Sequence, residues 1–197
     1  VAKAINTPAD LKGKTIALAE GTPSHYYALS VLKKAGISSN DVKWKYTNSA
    51  VDAANIFKAG TVDACVSWSP DVYLAAKARE GAKILTSTKT DQYLIADIFI
   101  AKKSFVLKYK KKIRAFMKGW FLGVTETKKN PDPAIKLMTT KIGKGFSDVD
   151  YELAKSMYEV VYLPTYQDNV TFFKKDGSDT TFFKIYKDAE NIWKAAG

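Results

Sequence analysis

Strand and helix signals alternate along the first half of the chain, with short turns between them. Apolar runs predict the strands, and apolar residues at helical spacing predict the helices that follow them. The predicted strands are residues 15–19, 42–47, 61–68 and 83–86, and the predicted helices are residues 24–35, 49–60 and 69–81. Because a repeated strand–helix order implies right-handed crossovers and a mainly parallel sheet, the expected fold class is α/β.

The second half of the chain is predicted to be mainly helical. Residues 93–101 form a longer apolar run that predicts a fifth strand. Apolar stripes then predict a long helix over residues 105–124 and further helices over residues 147–162 and 178–196. The stripes are rich in large aromatic residues: Phe105, Tyr109, Phe116, Trp120, Phe182, Tyr186 and Trp193. Since this half supplies almost no strands, these aromatic helix faces are expected to pack on a sheet that other residues form.

Composition excludes several classes of protein. With 46% hydrophobic residues the chain has enough apolar material for a core, and its apolar runs fall short of the roughly 20 residues of a membrane span. The net charge is +11, but Arg79 and Arg114 are the only arginines, which argues against base-reading or phosphate-gripping nucleic-acid contacts. The basic stretch over residues 102–118 is interpreted as the solvated side of a core helix, with anionic lipid or nucleic acid as the alternative partners.

Motifs for catalysis, metals and cofactors are absent from the sequence. It contains no Ser-His-Asp order, no zinc-ligand spacing and no glycine–lysine phosphate loop, so neither a metal nor a cofactor is expected. Cys65 is the single cysteine and cannot form an internal disulfide. With no histidine near it in sequence, Cys65 is interpreted as a small apolar core residue rather than a nucleophile.

Three strand-to-helix turns are the candidate binding positions. They cover residues 20–25, 48–50 and 68–71, and each presents helix N-terminal N–H groups at the carboxyl end of a strand. Small hydroxyl residues, among them Thr22, Ser49 and Ser69, lie in these turns. Taken together the turns could hold a small anion or polar group, whereas each hydroxyl taken alone could simply cap its helix.

Charged and aromatic residues at the same rim leave alternatives open. Glu20, Asp52 and Asp71 would repel an anion, so they either cap helices or meet an amine. His25, the only histidine, could donate to a ligand or fill a packing position. Trp68 could line a pocket or fill core, and its indole N–H needs a partner.

Longer motifs show a resemblance to a known family. They are DLKGKTIALAEGTPSHYYALSVLKKAGI (residues 10–37), AVDAANIFKAGTVDACVSWSPDV (50–72), IADIFIAKKSFV (95–106), YLPTYQDNVTFF (162–173) and FFKIYKDAENIWKAAG (182–197). In these motifs the chain resembles the periplasmic solute-binding proteins of ABC importers. The group it resembles includes nitrate, sulfonate, taurine and pyrimidine-precursor binders and is called NMT1/THI5-like. The resemblance runs over nearly the whole chain in the right order.

The resemblance implies the type II periplasmic-binding-protein fold. In this fold two three-layer α/β lobes with mainly parallel sheets are joined by crossing strands and clamp a ligand between them. Residues 7–90 would be the complete second lobe, and residues 91–197 the crossover strand and the helical C-terminal part of the first lobe. The N-terminal part of the first lobe is missing from the given sequence. We therefore expect an exposed apolar face, or one completed by a missing N-terminal segment or a second polypeptide.

The resemblance also implies a function and a site. The implied function is to capture a small anionic or zwitterionic solute outside the cytoplasm and deliver it to an ABC permease in the membrane. A signal peptide would have been removed. Neither binding to nucleic acid nor catalysis is expected. The cleft positions would be Gly21, Thr22, Ser24, His25, Ser49, Ala50, Trp68, Ser69 and, on the returning crossover, Asp97.

Two alternatives to this function stay open. One is a non-transport ligand-binding lobe of a larger envelope protein, and the other is an enzyme of the pyrimidine-precursor synthase type, against which the single histidine argues.

Overall fold

The structure is a computed structural model that describes residues 1–91, 93–140, 149–174 and 180–197. The strands are β1 (Thr15–Ala19), β2 (Lys43–Thr47) and β3 (Ala64–Cys65). The helices are α1 (Pro23–Lys34), α2 (Ala50–Lys58), α3 (Asp71–Ala78), α4 (Lys103–Lys108), α5 (Lys110–Lys129), α6 (Asp132–Met138), α7 (Tyr151–Val160), α8 (Tyr166–Phe173) and α9 (Thr181–Ala196). Short 3₁₀ turns cover Pro8–Leu11, Ser39–Asp41 and Thr88–Thr90.

The sheet is parallel, as predicted, with the strand order β2-β1-β3. The central strand β1 is buried on both faces, which its nearly continuous apolar run allows. On one face of the sheet Leu18 shares a buried cluster with Leu32 of α1, and on the other face Ala17 shares one with Phe57 of α2. Two helical layers therefore enclose this sheet, and the carboxyl ends of its strands share one edge.

Three of the strand predictions need correction. The strand predicted over residues 61–68 is reduced to Ala64–Cys65, and residues 83–86 form no strand, although Lys83 exchanges two backbone hydrogen bonds with Val1. The strand predicted over residues 93–101 is wrong, because the described residues hold no strand that pairs with this segment. An apolar run becomes a strand only where a neighbour can satisfy its backbone N–H and C=O groups.

The chain divides into two compact units. Unit 1 contains Val1–Ile95 and Ile185–Gly197, and unit 2 contains Ala96–Lys184. In unit 1 the end of α9 packs on α1, where Ile192 meets Tyr26 and Leu29. In unit 2 the buried residues include Val124 of α5, Ile135 of α6, and Ala154 and Met157 of α7.

The helices predicted for the second half of the chain are present and begin close to the predicted positions. The predicted long helix is present as α4 and α5, with an irregular residue, Tyr109, between them. The predicted helix over residues 147–162 is α7, and the one over residues 178–196 is α9; their first two predicted residues lie outside the described ones. Helices α6 and α8 were not predicted.

Large apolar side chains are exposed on the first part of unit 2, as expected. Phe105, Phe116 and Trp120 are each about half exposed, and Phe99 sets its ring edge-on against both Phe116 and Trp120. Among the residues described, none of the helices combines the length and apolarity that crossing a bilayer requires.

Candidate functional site

The three predicted turns lie at one edge of the unit 1 sheet and are tied together by hydrogen bonds. The indole Nε1–H of Trp68, after β3, donates to Ser24 Oγ in α1 over 2.7 Å. Ser67 Oγ donates to the backbone carbonyl of Ala50, at the start of α2, over 2.9 Å. The segment after β3 therefore holds the N-termini of both neighbouring helices.

Helix N-termini give this edge its hydrogen-bond donors. The first backbone N–H groups of a helix have no acceptor within it. At α1 these groups include Ser24 and His25, and at α2 they include Ala50 and Val51. The positive ends of two helix dipoles therefore lie at the same edge of the sheet, one from each face, and each is suited to a small anion.

The hydroxyl groups of the first two turns serve the local structure. Ser49 is the N-cap of α2, where its Oγ accepts the Asp52 N–H at 3.1 Å and donates to Asp52 Oδ2 at 2.8 Å. Thr22 occupies the N-cap of α1, but its Oγ1 donates to the Ala19 carbonyl at 2.7 Å. Ser69 is half-buried and precedes the N-cap Pro70 of α3. At Thr22 and Ser49 the backbone, rather than the hydroxyl, is therefore left to face a ligand.

His25 is a packed residue at the base of the site. It is 7% exposed, and its Nδ1 accepts the Gly21 N–H at 3.3 Å. The ring centroid lies 5.0 Å from that of Trp193, 5.4 Å from Trp44 and 5.5 Å from Tyr46. Burial lowers the pKa of His25 below 6.5, against a smaller opposite effect of the Glu20 carboxylate, so the imidazole is neutral at pH 7 with its proton on Nε2.

Aromatic surface borders the same edge. Trp68 is 56% exposed and Tyr46 is 43% exposed, although Trp68 has its indole N–H bound to Ser24. Trp44 stacks on Tyr46 at 6.3 Å between ring centroids. Burial raises the pKa of the Tyr46 phenol, with the Glu20 carboxylate adding to the effect, so the phenol stays neutral at physiological pH. The rim thus offers uncharged ring faces beside backbone donors.

Several residues around the candidate site were missed by the sequence reasoning, and the prediction for Asp97 stays a prediction. Trp44, Tyr46 and Trp193, which surround His25, were not assigned to the site. Alternation along β2 puts Trp44 and Tyr46 on one face and could have indicated them, whereas nothing local indicates Trp193. Asp97 is exposed and belongs to unit 2.

Comparison with family models decides the family. The model described as NMT1/THI5 like matches residues 1–134. The chain belongs to the NMT1/THI5-like family. The resemblance expected from its motifs is therefore confirmed.

Two curated relatives of this NMT1/THI5-like chain are binding proteins of Escherichia coli (strain K12). One is the putative aliphatic sulfonates-binding protein, 32% identical over 143 residues, or 71% of this chain and 43% of the relative. The other is the taurine-binding periplasmic protein, 30% identical over 139 residues, or 69% of this chain and 42% of the relative. The chain spans less than half the length of these curated relatives.

Solved structures show the same fold. The periplasmic aliphatic sulphonate binding protein SsuA from Escherichia coli superposes with a TM-score of 0.73 at 24% identity, covering 96% of this chain and 56% of that one. The alkanesulfonate-binding protein SsuA from Xanthomonas axonopodis pv. citri, bound to MOPS, gives 0.69 at 21% identity, covering 98% and 61%. The NMT1/THI5-like chain therefore has the α/β periplasmic-binding-protein fold that its motifs predicted.

Proposed function

We propose that this chain is the solute-binding part of an ABC-type importer and works outside the cytoplasm, where it captures a small anionic or zwitterionic molecule. The observation that carries the proposal is the pair of hydrogen bonds, Trp68 to Ser24 and Ser67 to Ala50, that holds two helix N-termini at one edge of the sheet. Membership of a family with sulfonate- and taurine-binding members supports it. The proposed partner is a membrane permease, and no catalysis is proposed.

The acid group of the solute would meet the backbone donors. Ser24, His25 and Ala50 supply N–H groups at the helix starts, and Gly21, Thr22, Ser49 and Ser69 shape the turns around them. Because His25 is neutral, it would form no ion pair with the solute, and the anion would be bound by helix dipoles and hydrogen bonds. Binding of this kind is suited to a solute that must later be released to a permease. The exposed rings of Trp68 and Tyr46 would cover the short apolar part of an organosulfonate.

Glu20 distinguishes a zwitterion from a simple anion. Its carboxylate is exposed beside the α1 turn and influences both His25 and Tyr46. An ammonium group on the solute would be attracted to this carboxylate, whereas a second acid group would be repelled. Taurine, which carries one acid and one amine, is therefore a rational first probe.

The assignment of segments to lobes follows from the family. We propose that residues 7–90 form the second lobe, that residues 91–197 contribute the crossover and the helical part of the first, and that Asp97 faces the cleft. The exposed aromatic side chains of α4 and α5, among them Phe105 and Trp120, would be covered by further polypeptide, either an N-terminal segment or a second chain. Hydrophobic-dye binding by the 197 residues, abolished when that polypeptide is supplied, would support this assignment.

Calorimetric titration tests the solute-binding function. The panel is taurine, ethanesulfonate, octanesulfonate, nitrate, phosphate and acetate, titrated into the folded chain. We expect heat from one or more sulfonates, with weak affinity because the chain has only part of its relatives' length. Trp68→Ala is the site variant and Trp120→Ala, on α5, is its matched control. A folded chain that binds no member of the panel, or binds equally after Trp68→Ala, would contradict the proposal.

A further inference from the structure

The two ring nitrogens of His25 have different surroundings. Nδ1 accepts a hydrogen bond from the backbone N–H of Gly21, so it carries a lone pair rather than a proton. Gly21 has φ +67°, a conformation that residues with a side chain rarely adopt, and it opens the turn into α1. One imidazole therefore closes the five-residue turn over residues 21–25 at the proposed site.

Of the groups that face the ring, all but one are uncharged. The β1–α1 turn contributes the Glu20 carboxylate, which alone among them favours a charged imidazole. Strand β2 contributes the Trp44 indole and the Tyr46 phenol, and α9 contributes the uncharged indole of Trp193. These rings leave the imidazole little water, so burial disfavours the cation.

We propose that His25 is a positioning residue whose neutral ring locks the Gly21 turn, so that acid releases the turn and weakens solute binding. This part about binding rests on the proposed function. A protonated Nδ1 is a donor and cannot accept the Gly21 N–H, so two donors would face each other across 3.3 Å. The expected pH dependence is the reverse of that of a histidine that binds an anion by charge.

The sign of the pH effect follows from the direction of the shift. The folded-state pKa of His25 is lowered, so the folded chain prefers the neutral ring. The contribution of the lock is complete above the unfolded value of about 6.5 and is lost as the pH falls through the folded pKa. Loss of the lock is therefore expected in the acid range below pH 6.5.

Nuclear magnetic resonance tests the lock without any solute. Because the chain has one histidine, its long-range ¹H–¹⁵N spectrum shows one imidazole. We expect the Nε2–H tautomer, a midpoint below 6.5, and a Gly21 amide resonance that moves with the same midpoint. An Nδ1–H tautomer, a midpoint above 6.5, or a Gly21 amide that does not follow the imidazole would each overturn the proposal, even if the chain bound no sulfonate.

Variants connect the lock to binding. In His25→Asn the side-chain oxygen replaces Nδ1 as acceptor but does not titrate, whereas His25→Phe has no acceptor. With taurine and ethanesulfonate as probes, we expect the parent chain to lose about threefold or more in affinity between pH 7.5 and 5.0. His25→Asn should be pH-independent, and His25→Phe should bind weakly at both pH values. Equal acid sensitivity of His25→Asn and the parent would overturn the proposal, whereas absence of binding in every chain would count against the proposed function alone.

Discussion

The indole N–H of Trp68 donates to the buried hydroxyl of Ser24 with 2.7 Å between Nε1 and Oγ. This bond connects an exposed ring after β3 to the first turn of α1. Because Ser24 is only 2% exposed, water cannot readily replace the indole N–H as the donor to its hydroxyl.

Trp68→Phe should therefore cost stability, although the ring it changes is largely exposed. We expect the free energy of unfolding in urea to fall by about 1 kcal/mol, the net value of one such hydrogen bond. Ser24→Ala and the double variant complete a mutant cycle, and the coupling between the two sites should also be about 1 kcal/mol. Additive effects of the two substitutions would show that the bond does not stabilise the turn.

Gly21→Ala separates backbone strain from steric clash. A Cβ at Gly21 would meet no atom within 4 Å, so the cost comes from φ +67° and should be about 1–2 kcal/mol of unfolding free energy. Gly60→Ala is the matched control, since Gly60 has φ +78°, equally open surroundings, and a place in the turn between α2 and β3. Both variants should lose similar stability, but only Gly21→Ala should weaken sulfonate binding in calorimetry. Equal affinities would place the ligand elsewhere.

The lysine-rich helix α5 should not contribute to solute affinity. Lys110 and Lys111 are exposed and belong to unit 2. We expect Lys110→Ala with Lys111→Ala to leave the sulfonate dissociation constant within about twofold, and salt between 50 and 500 mM to weaken binding only modestly, because short-range backbone donors are screened less than surface charge. A steep logarithmic fall with salt would instead indicate a polyanion on this surface.

Cys65 should be unreactive while the chain is folded. Burial raises the pKa of its thiol to about 11, so the thiolate is scarce at pH 8. Reaction with a disulfide reagent should therefore be slower by about 100-fold or more than that of an exposed thiol. The measurement is the rate of colour release from such a reagent, with and without urea. Fast labelling of the folded chain would contradict the prediction.

Periodicity predicted the elements that unit 1 can bury by itself. The run Thr15–Ala19 was placed without error because a short, nearly continuous apolar run followed by a turn and a helix is typical of a buried strand. Residues 93–101 carry a similar run but form no strand, since pairing depends on a neighbour that a local pattern does not reveal. The sequence pattern of a segment thus indicates which side chains it can bury, but not whether a neighbouring strand is present for it to pair with.

The meeting of the three turns at one edge of the sheet was predicted, but the contacts within them were not. Parallel strand order was enough to bring the turns at Gly21, Ser49 and Trp68 to one edge. Sequence could not distinguish a capping hydroxyl from a ligand donor, because Ser49 satisfies the spacing for both. The Trp193 contact with His25 joins opposite ends of the chain, and no local pattern encodes such a distance.

The indole rings near His25 also make the intrinsic fluorescence of unit 1 sensitive to its protonation state and to a bound solute. Three of the chain's four tryptophans lie here: Trp44 and Trp193 against the imidazole, and Trp68 on Ser24. A charged imidazole quenches a neighbouring indole more strongly than a neutral one does, and a solute at the rim changes the polarity around Trp68. Intrinsic emission of the unlabelled chain would therefore follow both acidification and ligand capture, with Trp120, on α5 in unit 2, as the background signal.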